Sequence, residues 1–144
     1  VFIHSDRSIF KIVDLDEAWA FLNVAQGETL SNKLVRAGRA MNAGVYFVTQ
    51  SSGDVSKESL KNNIGLKFAF RSTDTNEIKQ TLEFFGLDSE DENNQKRLRD
   101  LENGQCLMQD LYGRVGVVQI HPVFVELLHA FDTRPPIKSE VDLE

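Results

Sequence analysis

The sequence holds few of the features that define disulfide-bonded, zinc-binding or membrane-spanning proteins. Its 144 residues include one cysteine, so an internal disulfide is impossible, and Cys106 has no second cysteine with which to form a zinc site. No apolar run approaches the roughly 20 residues that cross a bilayer as a helix. The formal net charge of −6 argues against a free-standing basic protein that binds nucleic acid.

The composition is typical of a folded domain. Hydrophobic residues make up 41% and charged residues 26% of the chain. A chain of this length buries about two-thirds of its unfolded surface, so its core needs no cross-link, and Cys106 is expected to be a small buried apolar residue. Because the chain begins Val-Phe-Ile-His, without an initiator methionine, we expect a piece of a longer protein. We expect residues 1–134 to form part of one domain and residues 135–144 to be a flexible acidic tail.

Short apolar runs alternate with segments of helical spacing. Strands are predicted at residues 9–15, 45–48, 66–70, 105–110 and 114–120. Helices are predicted around residues 19–22 and at residues 30–41, 56–62, 76–85, 95–102 and 124–131, and Gly86 is placed to end the fourth of them. The pattern favours an α/β fold with a mostly parallel sheet flanked by helices, to which the last two strands add an antiparallel edge hairpin.

Polar side chains follow two of these strands, at the sheet edge where ligands bind in α/β proteins. Asp16 and Glu17 follow the first strand, and Thr49 and Gln50 follow the second. If the strands are parallel, both pairs lie at the same edge. Such a carboxylate pair suits nucleotide hydrolysis, because one group can hold magnesium while the other orients or deprotonates a water. The amide of Gln50 can bond that water or a γ-phosphate.

A simpler interpretation of the same residues stays open. Acidic side chains at the start of a helix complement the helix dipole, which alone accounts for Asp16 and Glu17. A polar residue such as Gln50 also commonly follows a strand as part of an ordinary loop.

Two arginines lie between these strands. Arg36 and Arg39 are three residues apart and therefore share a helix face. A guanidinium group offers a permanent charge and a planar fork for phosphate, so either arginine can stabilise transition-state charge in its own subunit or in a neighbour. The alternative is a solvated basic helix face.

Together these segments resemble the C-terminal part of the AAA-like ATPases of conjugative transfer and type IV secretion. These proteins belong to the FtsK–HerA-like P-loop superfamily, and the likeness is to the type found in Gram-positive conjugative elements. The matching stretches are IFKIVDLDEAWAFL, LVRAGRAMNAGVYFVTQSS, LENGQCLMQDLYGRVGVVQI and AFDTRPP. The resemblance implies the C-terminal portion of a P-loop, RecA-like ATPase domain.

The resemblance also implies roles for individual residues. The Asp-Glu-Ala-Trp stretch matches the Walker B motif of the family, so Asp16 takes the magnesium and nucleotide role and Glu17 the catalytic one. Trp19, which ends that stretch, is expected to pack in the core or at its edge.

The next family motif contains paired arginines, a strand and Thr-Gln. On this chain it implies phosphate-sensing or finger roles for Arg36, Arg39 and Gln50, and a nucleotide contact for Thr49. Family members carry Arg-Lys where this chain has Arg39-Ala40, so one basic group of the motif is missing.

The phosphate-binding loop of the family, Gly-x-x-x-x-Gly-Lys-Ser/Thr, does not occur in this sequence. That loop supplies the lysine and the backbone N–H groups that hold the phosphates, and in the family it lies upstream. The isolated chain is therefore expected to bind ATP weakly and not to hydrolyse it.

For the full-length protein, the resemblance implies a magnesium-dependent ATP hydrolase that powers conjugative DNA transfer or type IV secretion. It would act as an oligomer, a hexamer by analogy, in the cytoplasm at the inner face of the membrane. Its partners would be a membrane-embedded secretion channel and DNA, without membrane insertion of its own. Two alternatives stay open, namely a DNA-pumping translocase of the same superfamily and a non-catalytic scaffold that keeps the ATPase fold.

Overall fold

The computed structural model describes residues 6–55, 58–130 and 132, and the predicted acidic tail lies outside these residues. The elements in chain order are β1 (Lys11–Leu15), α1 (Ala18–Leu22), α2 (Ala25–Gly38), β2 (Ala43–Phe47), α3 (Glu58–Lys61), β3 (Lys67–Ala69), α4 (Thr75–Phe85), α5 (Glu92–Arg99), β4 (Gln105–Gln109), β5 (Val115–Gln119) and α6 (Val125–Ala130). Two short 3₁₀ turns, Arg39–Met41 and Ser52–Val55, flank β2 on either side. In these residues every helix is too short or too polar to cross a bilayer.

The first two strands pair in parallel, as the alternation of strands and helices predicts. Lys11 lies opposite Ala43 and Leu15 lies opposite Phe47, so the two strands end level with one another. The pairing continues one step further, because the N–H of Val48 donates to the carbonyl of Leu15 at 3.0 Å. The polar residues that follow β1 and β2 therefore leave the sheet at the same edge.

The other three strands form a separate antiparallel sheet, in the order β3-β4-β5. The structure corrects the expectation of one mostly parallel sheet with an edge hairpin, since only β1 and β2 are parallel among the described residues. Two helices lie in each connection, α1 and α2 between β1 and β2 and α4 and α5 between β3 and β4. The alternation of strands and helices therefore does not fix strand direction, which here depends on how the helices pack on the core.

The core is built around α4. Ile78 and Leu82, spaced for one helix face, have no exposed surface, and Phe85 is buried beside them. Burial of each such side chain stabilises the fold by about 1.5–3 kcal/mol. The cluster that they join reaches both sheets and consists of Ala18, Leu22, Val55, Leu60, Ile78, Leu82, Phe84, Phe85, Leu98, Leu101 and Leu107.

Cys106 in β4 is fully buried, which confirms the expectation from the sequence. Burial raises the pKa of its thiol, because the charged form loses its hydration there. The group is therefore kept as a neutral thiol, in which state it is unreactive.

One face of the parallel pair is open to solvent. Ile12 and Tyr46 lie on this face and are 58% and 53% exposed. On the opposite face, Leu15 and Phe47 pack against the core. The apolar runs predict strands that are buried on both faces, as parallel strands usually are, whereas the described residues cover only one face.

Helix α4 has well-defined ends. Its N-cap, Asp74, accepts a hydrogen bond from the N–H of Glu77 at 2.8 Å. It ends at Gly86, which adopts the left-handed conformation with φ 74°, as the position of this glycine in the sequence predicts.

Replacement of Gly86 by alanine tests this helix end. A methyl group has room there, but the left-handed backbone disfavours any Cβ, so Gly86→Ala is expected to lower the free energy of unfolding by about 1 kcal/mol. Gly116 in β5 also has room for a methyl group and does not have a positive φ. Gly116→Ala is thus a matched control that should cause no loss, as measured by urea unfolding. Equal effects of the two substitutions would contradict this account.

Candidate active site

The segments that leave β1 and β2 meet at the carboxyl edge of the parallel pair. The backbone N–H of Ala18 donates to the carbonyl of Val48 at 2.9 Å and joins the two loops. The side-chain amide of Gln50 donates to Oε1 of Glu17, also at 2.9 Å. The prediction that Glu17 and Gln50 lie at one edge is therefore confirmed. The catalytic roles of the two residues stay predictions.

Glu17 has an unusual backbone conformation. Its φ of 52° and ψ of 46° place it in the left-handed region, which costs a residue with a Cβ about 1–2 kcal/mol. Its N–H donates to Oδ1 of Asp16 at 3.0 Å. Strained residues of this kind persist where the surrounding structure holds them, and they cluster at functional sites.

Both carboxylate oxygens of Glu17 are engaged. Gln50 bonds Oε1, and the indole N–H of Trp19 donates to Oε2 at 2.5 Å. The carboxylate is nevertheless exposed at the sheet edge. A water that bonds both Glu17 and Gln50 at this edge would meet a proton acceptor and an amide, a combination that suits general-base activation of water.

Asp16 is the residue in this edge that fits a metal ion. Its carboxylate is exposed, and no group of three or more His, Cys, Asp or Glu side chains in the described ranges is arranged to hold a metal on its own. Magnesium prefers oxygen ligands, keeps several waters and is commonly held by one or two carboxylates together with substrate phosphates. One exposed aspartate beside Glu17 fits that mode of binding.

The hydroxyl of Thr49 closes the loop after β2. It donates to Oδ2 of Asp54 at 2.7 Å and accepts from the N–H of Ser51 at 3.4 Å. These bonds use Thr49 to shape the loop that carries Gln50. Its contact with a nucleotide stays a prediction.

The two arginines lie at the other end of the parallel pair. Arg36 is in the last turn of α2 and is exposed, and Arg39 opens the 3₁₀ turn that precedes β2. That turn lies beside the start of β1, where the N–H of Lys11 donates to the carbonyl of Asn42 at 3.0 Å. A five-residue strand is about 16 Å long, so the structure does not bring Arg36 to Gln50 in the same subunit.

Two residues at or near the edge escaped sequence reasoning. The sequence predicts that Trp19 packs in the core or at its edge, but its side chain is 45% exposed and donates a hydrogen bond to Glu17. The spacing of two residues from Glu17 is its only local signal. Glu77 bonds Ser51 and Ser52 in the loop of Gln50, and no local pattern predicts this contact, since Asp74-x-x-Glu77 indicates only a helix cap.

Comparison with known proteins supports the AAA-like part of the resemblance noted from the motifs. The chain is 34% identical over 119 residues to the "Uncharacterized protein YddE" of Bacillus subtilis (strain 168). The alignment covers 83% of the chain and 14% of that protein, so the chain spans about one-seventh of the length of this relative. The model of the family described as "AAA-like domain" matches residues 1–131. A match over so much of the sequence shows that the chain belongs to the AAA-like domain family.

Proposed function

We propose that this chain is the Walker B portion of an ATPase domain and that the full-length protein hydrolyses ATP with magnesium. The observation that supports this most directly is the 2.9 Å contact between Glu17 and Gln50, at the carboxyl edge of a parallel strand pair in a member of the AAA-like family. AAA-like domains are associated with ATP hydrolysis. The edge offers the carboxylate and amide that this reaction needs.

In the proposed mechanism each residue at the edge has one task. Glu17 accepts the proton of the attacking water, and Gln50 holds that water in line with the γ-phosphate. Asp16 would hold magnesium, which would supply positive charge close to the phosphoryl oxygens. Trp19 keeps the carboxylate of Glu17 directed toward the edge through its indole N–H.

The biological role proposed for the full-length protein is to power conjugative DNA transfer or type IV secretion. The support is the resemblance of the Asp-Glu-Ala-Trp and Arg-x-x-Arg…Thr-Gln motifs to those of such ATPases. By the same resemblance, the protein would assemble as a hexamer in the cytoplasm at the inner face of the membrane, dock on a secretion channel and contact DNA. The place of Arg36 and Arg39, about one strand length from Gln50, favours a role of these arginines in the site of a neighbouring subunit.

Replacement of Glu17 by glutamine in the full-length protein tests the catalytic role. Glutamine keeps the size and the acceptor oxygen of the side chain but cannot take up a proton, so turnover is expected to fall by about 10²–10⁴-fold while ATP binding stays near normal. Phosphate release and nucleotide titration measure the two quantities. Glu83→Gln is the matched control, since Glu83 is an exposed glutamate on α4 that bonds Ser89. Turnover by Glu17→Gln at the wild-type rate would reject the role.

Mixed oligomers test whether an arginine acts across subunits. Arg36→Ala, Arg39→Ala and Glu17→Gln are each expected to reduce turnover when pure. Mixing an arginine variant with Glu17→Gln should restore part of the activity, because some interfaces then combine an intact arginine with an intact Glu17.

The matched control for this experiment is a mixture of Glu17→Gln with Gln50→Ala. These two residues bond each other within one subunit, so no interface regains a complete site. Recovery in this control, or absence of recovery with both arginine variants, would contradict action across subunits.

The isolated 144-residue chain provides a further test. Because its sequence lacks the phosphate-binding loop, we expect weak ATP binding and no magnesium-dependent phosphate release. Turnover by this chain that disappears in Glu17→Gln would show that the loop is dispensable.

A further inference from the structure

The loop that carries Gln50 is bonded to a distant helix. This loop, residues 49–54, follows β2 and includes most of the 3₁₀ turn Ser52–Val55. Ser51 donates its hydroxyl to Oε2 of Glu77 at 2.8 Å, and the backbone N–H of Ser52 donates to Oε1 of Glu77 at 2.7 Å. One carboxylate on α4 thus holds two consecutive residues immediately after Gln50.

The carboxylate of Glu77 bonds a distant loop, whereas its position in the helix predicts a bond to the N-cap residue. Glu77 is the third residue of α4, and a glutamate there commonly bonds back to the N-cap, in this case Asp74. Asp74 does cap the N–H of Glu77. The side chain of Glu77, however, extends to the loop, where both of its oxygens accept hydrogen bonds.

The surroundings of Glu77 are packed against the core and partly shielded from water. The next residue, Ile78, is fully buried in the core. Thr81, which is 5% exposed, donates to Oε1 of Glu77 at 3.3 Å and lies 3.2 Å from the hydroxyl of Ser52. Hydrogen bonds to a charged group in such a place are stronger and less screened than those at an exposed surface.

From this geometry we propose that Glu77 is a positioning residue, which fixes the Gln50 loop against α4 so that the amide of Gln50 meets Glu17. Ser51 directly follows Gln50, so the hydroxyl that Glu77 holds is one residue from the amide that bonds Glu17. The effect of Glu77 on catalysis rests on the proposed function, whereas the fixing of the loop rests only on the hydrogen bonds of Glu77.

Hydrogen exchange of the full-length protein tests the fixing of the loop. In Glu77→Ala, amides of residues 49–54 are expected to exchange at least about tenfold faster, because the variant removes two hydrogen bonds from this loop to a charged group and the loss of one alone corresponds to about that factor. Glu77→Gln keeps an acceptor oxygen for Ser52 and can donate its amide to the hydroxyl of Ser51, so it should restore most of the protection. Glu83→Ala, on the same helix, is the control that should leave the loop unchanged.

Steady-state kinetics test the link to Gln50. Glu77→Ala is expected to lower kcat about tenfold or more with little change in KM, since a small displacement of a catalytic group costs that much. Glu77→Gln should recover most of kcat. In the Gln50→Ala background, Glu77→Ala should cause no further loss, because the residue acts through Gln50. A merely structural role would instead produce multiplicative losses.

The two experiments separate the inference from the proposed function. Unchanged exchange in Glu77→Ala overturns the inference whatever the turnover. Faster exchange with an unchanged kcat, or multiplicative losses, overturns the positioning role while leaving ATP hydrolysis intact. The proposed function fails if the wild-type protein does not hydrolyse ATP, or if Glu17→Gln leaves its turnover intact. In that case the exchange comparison alone decides whether Glu77 fixes the loop.

Discussion

The parallel pairing of β1 with β2 is the constraint on which the candidate site depends. The two strands end level, and the ladder continues with a hydrogen bond from the N–H of Val48 to the carbonyl of Leu15. The segments that follow β1 and β2 therefore leave the sheet at the same edge. Glu17 and Gln50 are 33 positions apart in the sequence and meet only because of this register. A shift by one residue would move the two side chains to opposite faces and remove their contact.

The edge combines a strained residue with support from the core. Glu17 adopts the left-handed conformation, which is unfavourable for a residue with a Cβ. Hydrogen bonds from Gln50 and Trp19 hold its carboxylate at the edge. On the other side, α4 is anchored in the core through Ile78 and reaches the Gln50 loop through Glu77. The core of the domain and the candidate site are therefore joined by one helix.

Sequence reasoning succeeded where local pattern decides the outcome. Apolar runs predict the strands and helical spacing predicts the helices. The end of α4 at Gly86 follows from the backbone freedom of glycine. It failed where connections or tertiary contacts decide. The direction of β4 depends on tertiary packing, because two helices lie between β3 and β4 just as two lie between the parallel strands β1 and β2. Residues that precede a parallel strand, such as Arg36, lie at the edge opposite to those that follow it. No local signal connects Glu77 with Ser52, because that bond exists only after the chain has folded.

Trp19 gives the site an optical property of its own. It is the sole tryptophan of this sequence, and its indole nitrogen bonds the carboxylate on which the proposed chemistry rests. Indole fluorescence responds to the polarity and hydrogen bonding of its surroundings, and this ring is in partial contact with solvent. The indole emission of the chain therefore originates at a ring bonded to that carboxylate, and it reports a break in the bond between Trp19 and Glu17 without any attached dye.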